Sequence, residues 1–304
     1  MTPDEIKQRV TVGTLSFPLT DFTDDDQFDP KASAKRLEWL ANYSAAPVFM
    51  AGGTGEFFSL AFDEFSAVIA NAVEVCGGRQ PVIAGAGYGT RTAMAYVQEA
   101  ERCGAAGILL MPPYLVEAPQ AGLRAHIAAV CRATRLGVIV YNRANCQLAA
   151  DTVAALAAEC PNLIGFKDGV GDLVQLAAIR AAVGDRLVFL NGMPTAETYA
   201  REFRAAGVPA YSSAIFNFIP RTALQLHEAI NADDHARFEA LSRSFLVPYV
   251  KLRNRQPGYA VSIVKAGARI VGKSAGKVRS PLSELTNAEY DELAALIAGL
   301  GSQD

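Results

Sequence analysis

The chain has 304 residues, about half of them apolar, with a formal net charge of −3. That is enough for a sizeable core, and the balance, slightly acidic and without basic clusters, excludes an electrostatic footprint for nucleic acid. The N-terminus, MTPDEIKQRV, lacks the apolar segment of a signal peptide, and Pro, Gly or charge interrupts the apolar runs well short of a membrane span.

Short apolar runs recur along the chain: GTLSF (13–17), PVFMAG (47–52), PVIAGAG (81–87), GILLMPP (107–113), GVIVYN (137–142), LIGFKD (163–168), LVFLNG (187–192) and PAYSSAI (209–215). Their starts lie 22–34 residues apart, and segments with helical periodicity stand between most of them, as at 92–103, 123–134, 151–158 and 174–183. Strand–helix alternation at this spacing predicts parallel strands joined by right-handed crossovers. Continuous apolarity means that both faces of the sheet are covered. Eight such units match a (β/α)8 TIM barrel. An open doubly wound sheet lacks support, because GAGYGT (85–90) has the wrong spacing for a dinucleotide loop; its glycines give room at a strand end. Further helices are predicted over 220–231, 234–252, 259–271 and 287–300. The expected organisation is a barrel over 1–232 carrying the active site, and a C-terminal helical extension over 233–304 packed on it.

Five cysteines, Cys76, Cys103, Cys131, Cys146 and Cys160, form no CxxC pair, which argues against a disulfide framework or zinc site and for a cytoplasmic location. His126, His227 and His235 show no metal pattern and read as surface helix residues. Neither a metal nor an organic cofactor is expected.

Active sites of such barrels lie at the C-terminal ends of the strands. Polar groups end several runs here: Gly53, Thr54 and Glu56 after the second, Tyr141 and Asn142 on the fifth, Lys167 and Asp168 on the sixth, Asn191 and Gly192 on the seventh, Ser212 and Ser213 on the eighth. Period-two alternation puts Leu163, Gly165 and Lys167 on one face, with Gly165 leaving space beneath the lysine, and Ile139 and Tyr141 on the neighbouring strand. If these faces look inward, amine and phenol meet at the barrel mouth; a slip of one residue would reverse them. A lysine held there loses hydration, its pKa falls, and its free amine can attack a ketone to form an imine. A tyrosine hydroxyl beside it suits a proton relay. The structural alternative makes Lys167 half of an ion pair and Tyr141 a rim aromatic. In GGTGE (52–56), small residues let a ligand approach the backbone and the Thr54 hydroxyl can bind a carboxylate oxygen. The alternative is a turn whose threonine caps the helix beginning near Phe62.

Together, GGTGE, VYN (140–142) and GFKD (165–168) resemble the dihydrodipicolinate synthase/N-acetylneuraminate lyase superfamily over essentially the whole chain. The resemblance implies a (β/α)8 enzyme acting on 2-keto acids, typically a homotetramer, with Lys167 as the Schiff-base lysine and Tyr141 as the proton relay. It also implies that Gly53 and Thr54 hold the keto acid's carboxylate. The synthases of the superfamily have a threonine where Gly53 stands, a tyrosine in place of Leu115 and an arginine in place of Cys146. YNRAN (141–145), GFKDGVGD (165–172), NGMPTAE (191–197) and YSSAIFNF (211–218) resemble instead the branch that converts 5-dehydro-4-deoxyglucarate to 2,5-dioxopentanoate with loss of water and carbon dioxide, in hexarate catabolism. For that keto-deoxy-hexarate, Asn191, Gly192, Thr195 and Ser213 are candidate contacts. Arg143 is a candidate for the distal carboxylate or else a surface residue of its loop. An aldolase using the same lysine to release pyruvate, and a non-catalytic sugar-acid-binding barrel, are the alternatives.

Overall fold

The computed structural model describes residues 1–11, 14–44, 46–114 and 117–301; Gly13 and Leu115 lie outside them. Eight parallel strands close into a barrel in sequence order: β1 (Leu15–Ser16), β2 (Val48–Met50), β3 (Val82–Ala86), β4 (Gly107–Leu110), β5 (Gly137–Asn142), β6 (Leu163–Asp168), β7 (Val188–Asn191) and β8 (Ala210–Ser213). Each falls inside one of the eight apolar runs. The helices that alternate with them are α2 (Pro30–Ala41), α3 (Phe62–Cys76), α4 (Thr90–Arg102), α5 (Gln120–Arg132), α6 (Ala150–Glu159), α7 (Leu173–Val183), α8 (Ala200–Ala205) and α9 (Pro220–Asn231). A first helix, α1 (Pro3–Arg9), precedes β1. Thr2 and Glu5 form its capping box and Pro3 occupies its first turn, a strong start signal in sequence. Its Ile6 and the following Val10 are buried with the barrel's interior residues, so α1 plugs the N-terminal end.

The chain then continues through α10 (His235–Leu241), α11 (Val247–Arg253), α12 (Tyr259–Ile270) and α13 (Asn287–Ala298), with one π-helical turn (Ser242–Leu246) between α10 and α11. Their apolar faces share a core with α9 and with Leu19, Leu40 and Tyr211 of the barrel. The apolar residues pointing out of the sheet pack against the surrounding helices, which is why the strands read as unbroken hydrophobic runs.

One register detail positions the site. Val138 pairs with Leu163, but Ile139 pairs with Gly165, so Ile164 is an extra residue on β6. Leu163 therefore joins the outer layer with Phe166, while Ile164 faces the interior. Simple alternation had put Leu163 inside; the bulge corrects it. Above the bulge the expected pairing holds, and Tyr141 lies directly beside Lys167.

The three histidines also differ from expectation in part. His126 is buried against Thr90, with Oγ1 2.9 Å from Nδ1, and His227 is half-buried; His235 is exposed. Among the described residues no group of His, Cys, Asp or Glu could hold a metal ion, and no helix is long and apolar enough to cross a membrane.

Candidate active site

Lys167 ends the interior face of β6 and is 5 % exposed. Its Nζ lies 4.1 Å from the centroid of the Phe17 ring and 4.2 Å from that of Tyr141. Aromatic faces favour an ammonium modestly, but stripping its water costs more. Burial, helped by the Arg143 guanidinium, lowers the Lys167 pKa to about 7. Near neutrality a large share of the amine is therefore uncharged and nucleophilic.

The ion-pair alternative fails on geometry. Asp168, next in sequence, points to the other side of the sheet, where it accepts hydrogen bonds from Asn142 Nδ2 (2.7 Å) and Gly171 N (2.9 Å). Lys167 joins no ion pair among the described residues.

Tyr141 donates its hydroxyl to the Gly192 carbonyl (2.7 Å) and accepts from Arg143 Nη1 (3.0 Å). Burial pushes its pKa up, while the arginine opposes the rise. Arg143 is thus a partner of the phenol and at the same time an exposed residue of its loop. Room for the lysine comes from Gly192: a Cβ there would sit 2.7 Å from Lys167 Cγ and 2.8 Å from Tyr141 Cε2. Gly165 lies a layer below and makes room for Ile139 and Val188 instead, a correction to the expectation.

These groups open into a cavity of about 340 Å3, within the range of small-molecule sites. Gly53 and Thr54 line it, together with Phe17, Tyr141, Arg143, Lys167, Gly192, Thr195 and Ser212. A Cβ on Gly53 would meet nothing within 4 Å, so this backbone borders open space. Thr54 does not cap α3, whose N-cap is Ala61. The loop is held from behind. Glu56, wholly buried, pairs with Lys265 of α12 at 2.7 Å and accepts from the Arg279 backbone N–H at 3.0 Å. Gly85 lacks the side chain that would collide with the Ala51 carbonyl at the start of this loop, the strand-end role expected of it.

Two candidate contacts are misplaced by sequence reasoning. Asn191 is buried, its amide donating to the Ala196 carbonyl and accepting from Met193 N, so both ends serve the loop after β7. Ser213 is likewise buried away from the cavity and donates to the Glu197 carboxyl. Ser212, on the opposite face of β8, is the serine at the cavity. The pairing of β8 with β1 sets this choice, since Leu15 of the interior lies beside Ser212.

Sequence reasoning missed Glu197 and Arg253. Glu197 is wholly buried, and burial raises its pKa to about 7 against the opposing pull of Ser213 and Arg253. Arg253, the last residue of α11, lines the cavity and donates to Thr195 Oγ1. Nothing local in KLRNR marks it out from Arg255, which pairs with Glu292 on the surface. Cys146, where the synthases have an arginine, closes a tight backbone bridge with Arg143, and burial pushes its thiol up to about 11.

An amine of depressed pKa, walled by two aromatic rings at the mouth of a closed parallel barrel, defines a class: (β/α)8 proteins equipped to condense a lysine with a carbonyl compound. The model of the dihydrodipicolinate synthetase family matches residues 11–300, and the chain belongs to this family. Proteins named "Probable 5-dehydro-4-deoxyglucarate dehydratase" from Pseudomonas entomophila (strain L48) and Polaromonas naphthalenivorans (strain CJ2) are 54 % and 55 % identical over 303 residues. The matches cover 100 % of this chain and 99 % and 100 % of those proteins. The crystal structure of dihydrodipicolinate synthase from Oceanobacillus iheyensis superposes with a TM-score of 0.89 at 25 % identity, over 99 % of this chain and 100 % of that one.

Proposed function

We propose that this protein is a decarboxylating hydro-lyase that converts 5-dehydro-4-deoxyglucarate to 2,5-dioxopentanoate, carbon dioxide and water through an imine on Lys167. The single observation that carries the mechanism is the Lys167 amine, stripped of water between Phe17 and Tyr141, with its pKa lowered to about 7. The choice of substrate rests on the full-length relatives at 54–55 % identity that bear the dehydratase name.

Lys167 attacks the C5 ketone, and loss of water from the carbinolamine gives a protonated imine. This electron sink acidifies C4. After C4 loses a proton, the enamine electrons expel the C3 hydroxyl as water, leaving an unsaturated iminium. The C1–C2 bond then breaks into that conjugated system and carbon dioxide departs. Protonation and tautomerisation give the aldehyde at C2, and hydrolysis frees the lysine. Tyr141, touching the Gly192 carbonyl and Arg143, carries protons between substrate and solvent. Gly53 and Thr54 hold the carboxylate beside the ketone. The barrel over 1–232 supplies the reacting groups, and the extension over 233–304 buttresses them. Assembly as a homotetramer and a cytoplasmic location belong to the same reading.

Borohydride trapping with 5-dehydro-4-deoxyglucarate, followed by peptide mass analysis, tests it. The expected result is a reduced adduct on Lys167, with carbon dioxide and no pyruvate among the products of turnover. Pyruvate would identify an aldolase, and the absence of any adduct a non-catalytic binding barrel.

A further inference from the structure

Two guanidinium groups reach the cavity, and they are held differently. Arg143 is committed to the Tyr141 hydroxyl. Arg253 reaches the loop after β7, half-buried at the cavity wall. Its contacts are with neutral oxygens: Nη1 donates to Thr195 Oγ1, and Nε and Nη2 donate to Asn254 Oδ1 at 3.1 and 2.9 Å. It takes part in no ion pair among the described residues, whereas Arg201, Arg204, Arg237 and Arg255 nearby in the fold all do. The one acid behind it, Glu197, is directed to Ser213. Thr195 aims this guanidinium from a left-handed backbone conformation (φ 51°) that a β-branched residue adopts only when its surroundings impose it. An aimed cation facing a cavity, with no carboxylate in ion-pair contact among the described residues, is a site for one.

We infer that Arg253 binds the distal carboxylate of the substrate and selects six-carbon keto dicarboxylates over keto monocarboxylates. The inference rests on the Lys167 imine proposed above and adds the group that reads the far end of the chain. With C5 at Lys167 and its carboxylate at Gly53 and Thr54, the rest of the chain runs towards Arg253 along a wall that Ser212 also lines. This carboxylate is the one lost as carbon dioxide, and its charge fades as the C1–C2 bond breaks. An arginine holding it therefore stabilises the bound substrate more than the decarboxylation transition state. Its loss should raise KM by more than it lowers kcat.

A matched pair of unreactive keto acids isolates the contact: 2-oxoadipate, with both carboxylates on a six-carbon chain, and 2-oxohexanoate, which lacks the distal one. Each is trapped on the intact protein with borohydride, and the half-saturating concentration is measured. The wild type should capture 2-oxoadipate at a concentration roughly 10- to 100-fold lower than 2-oxohexanoate, the effect of one charge-assisted contact. Arg253→Met should abolish that preference without weakening 2-oxohexanoate capture, and Arg253→Lys should keep part of it. Arg253→Gln, which can still donate to Thr195, serves if the methionine variant does not fold. Equal capture of the two acids by the wild type, or a preference that survives in the variants, overturns the inference. Failure to trap either acid would instead strike at the Lys167 imine itself.

Discussion

Two lysines in this protein are buried, Lys167 on β6 and Lys265 on α12, at 5 % and 0 % exposure. Each has a phenylalanine ring beneath its ammonium at almost the same distance, Phe17 at 4.1 Å and Phe22 at 4.2 Å. Burial lowers the pKa of both. The difference lies in nearby carboxylates, Glu56 in contact with Lys265 and Asp21 beyond it. Glu56 stands 2.7 Å from Lys265 and pulls its pKa back up, whereas at Lys167 the charge of Arg143 pushes the same way as burial. Desolvation alone therefore does not make a reactive amine; desolvation without a counter-charge does.

Exchanging each lysine for methionine tests that difference most severely. Lys167→Met should remove borohydride-dependent labelling and lower turnover by roughly 10^4-fold or more, the scale on which loss of a covalent nucleophile acts, while the protein stays folded. Lys265→Met should retain labelling but cost about 3–5 kcal/mol in urea unfolding, because Glu56 is left buried and unpaired. Adding Glu56→Gln should return a good part of that loss. Labelling that persists in Lys167→Met, or a Lys265→Met protein of native stability, would erase the distinction.

A finer test adjusts the charge near the reactive amine. The unprotonated form attacks, so the rate of imine trapping should rise with pH through a midpoint near 7 in the wild type. Arg143→Met removes a neighbouring positive charge, favours the ammonium, and should move the midpoint upward by roughly one unit or less. The folded-state pKa of Lys167 lies below its ordinary 10.5, so the unfolded chain binds more protons between these values and the group's contribution to stability rises with pH from 7 to 10.5.

The smallest effect belongs to a buried acid. Glu197 has a pKa raised from 4.5 to about 7, so its contribution to stability is complete below 4.5 and is lost as pH rises towards 7. Glu197→Gln mimics the neutral form and should flatten that decline in a series of urea unfolding curves, with little change at pH 4. An unchanged pH dependence would show that the carboxyl ionises freely in place.

Much of this was legible in the sequence because both faces of each strand are covered. Every buried run stood out, and the polar residues ending the runs marked the mouth. Tyr141 and Lys167 could be paired because each follows an apolar strand by a countable number of residues. The bulge at Ile164 could not be seen, since Leu163, Ile164 and Phe166 are equally apolar and any of them suits either face. Ser212 and Ser213 posed the same problem in polar form: alternation cannot choose between identical neighbours, and only the partner strand β1 does. Arg253 was out of reach for a different reason. Its place at the cavity depends on how α11 crosses the barrel, a long-range fact with no local signal.

The Glu56 anchor also constrains how the molecule is made. The GGTGE loop leaves the ribosome early, yet the Arg279 amide that grips Glu56 follows 223 residues later, with Lys265 shortly before it. Until both have emerged, the loop carries a carboxylate that burial would leave without a partner. This corner of the cavity can therefore be sealed from water only once Lys265 and Arg279 have joined it, after all eight strands of the barrel have been made.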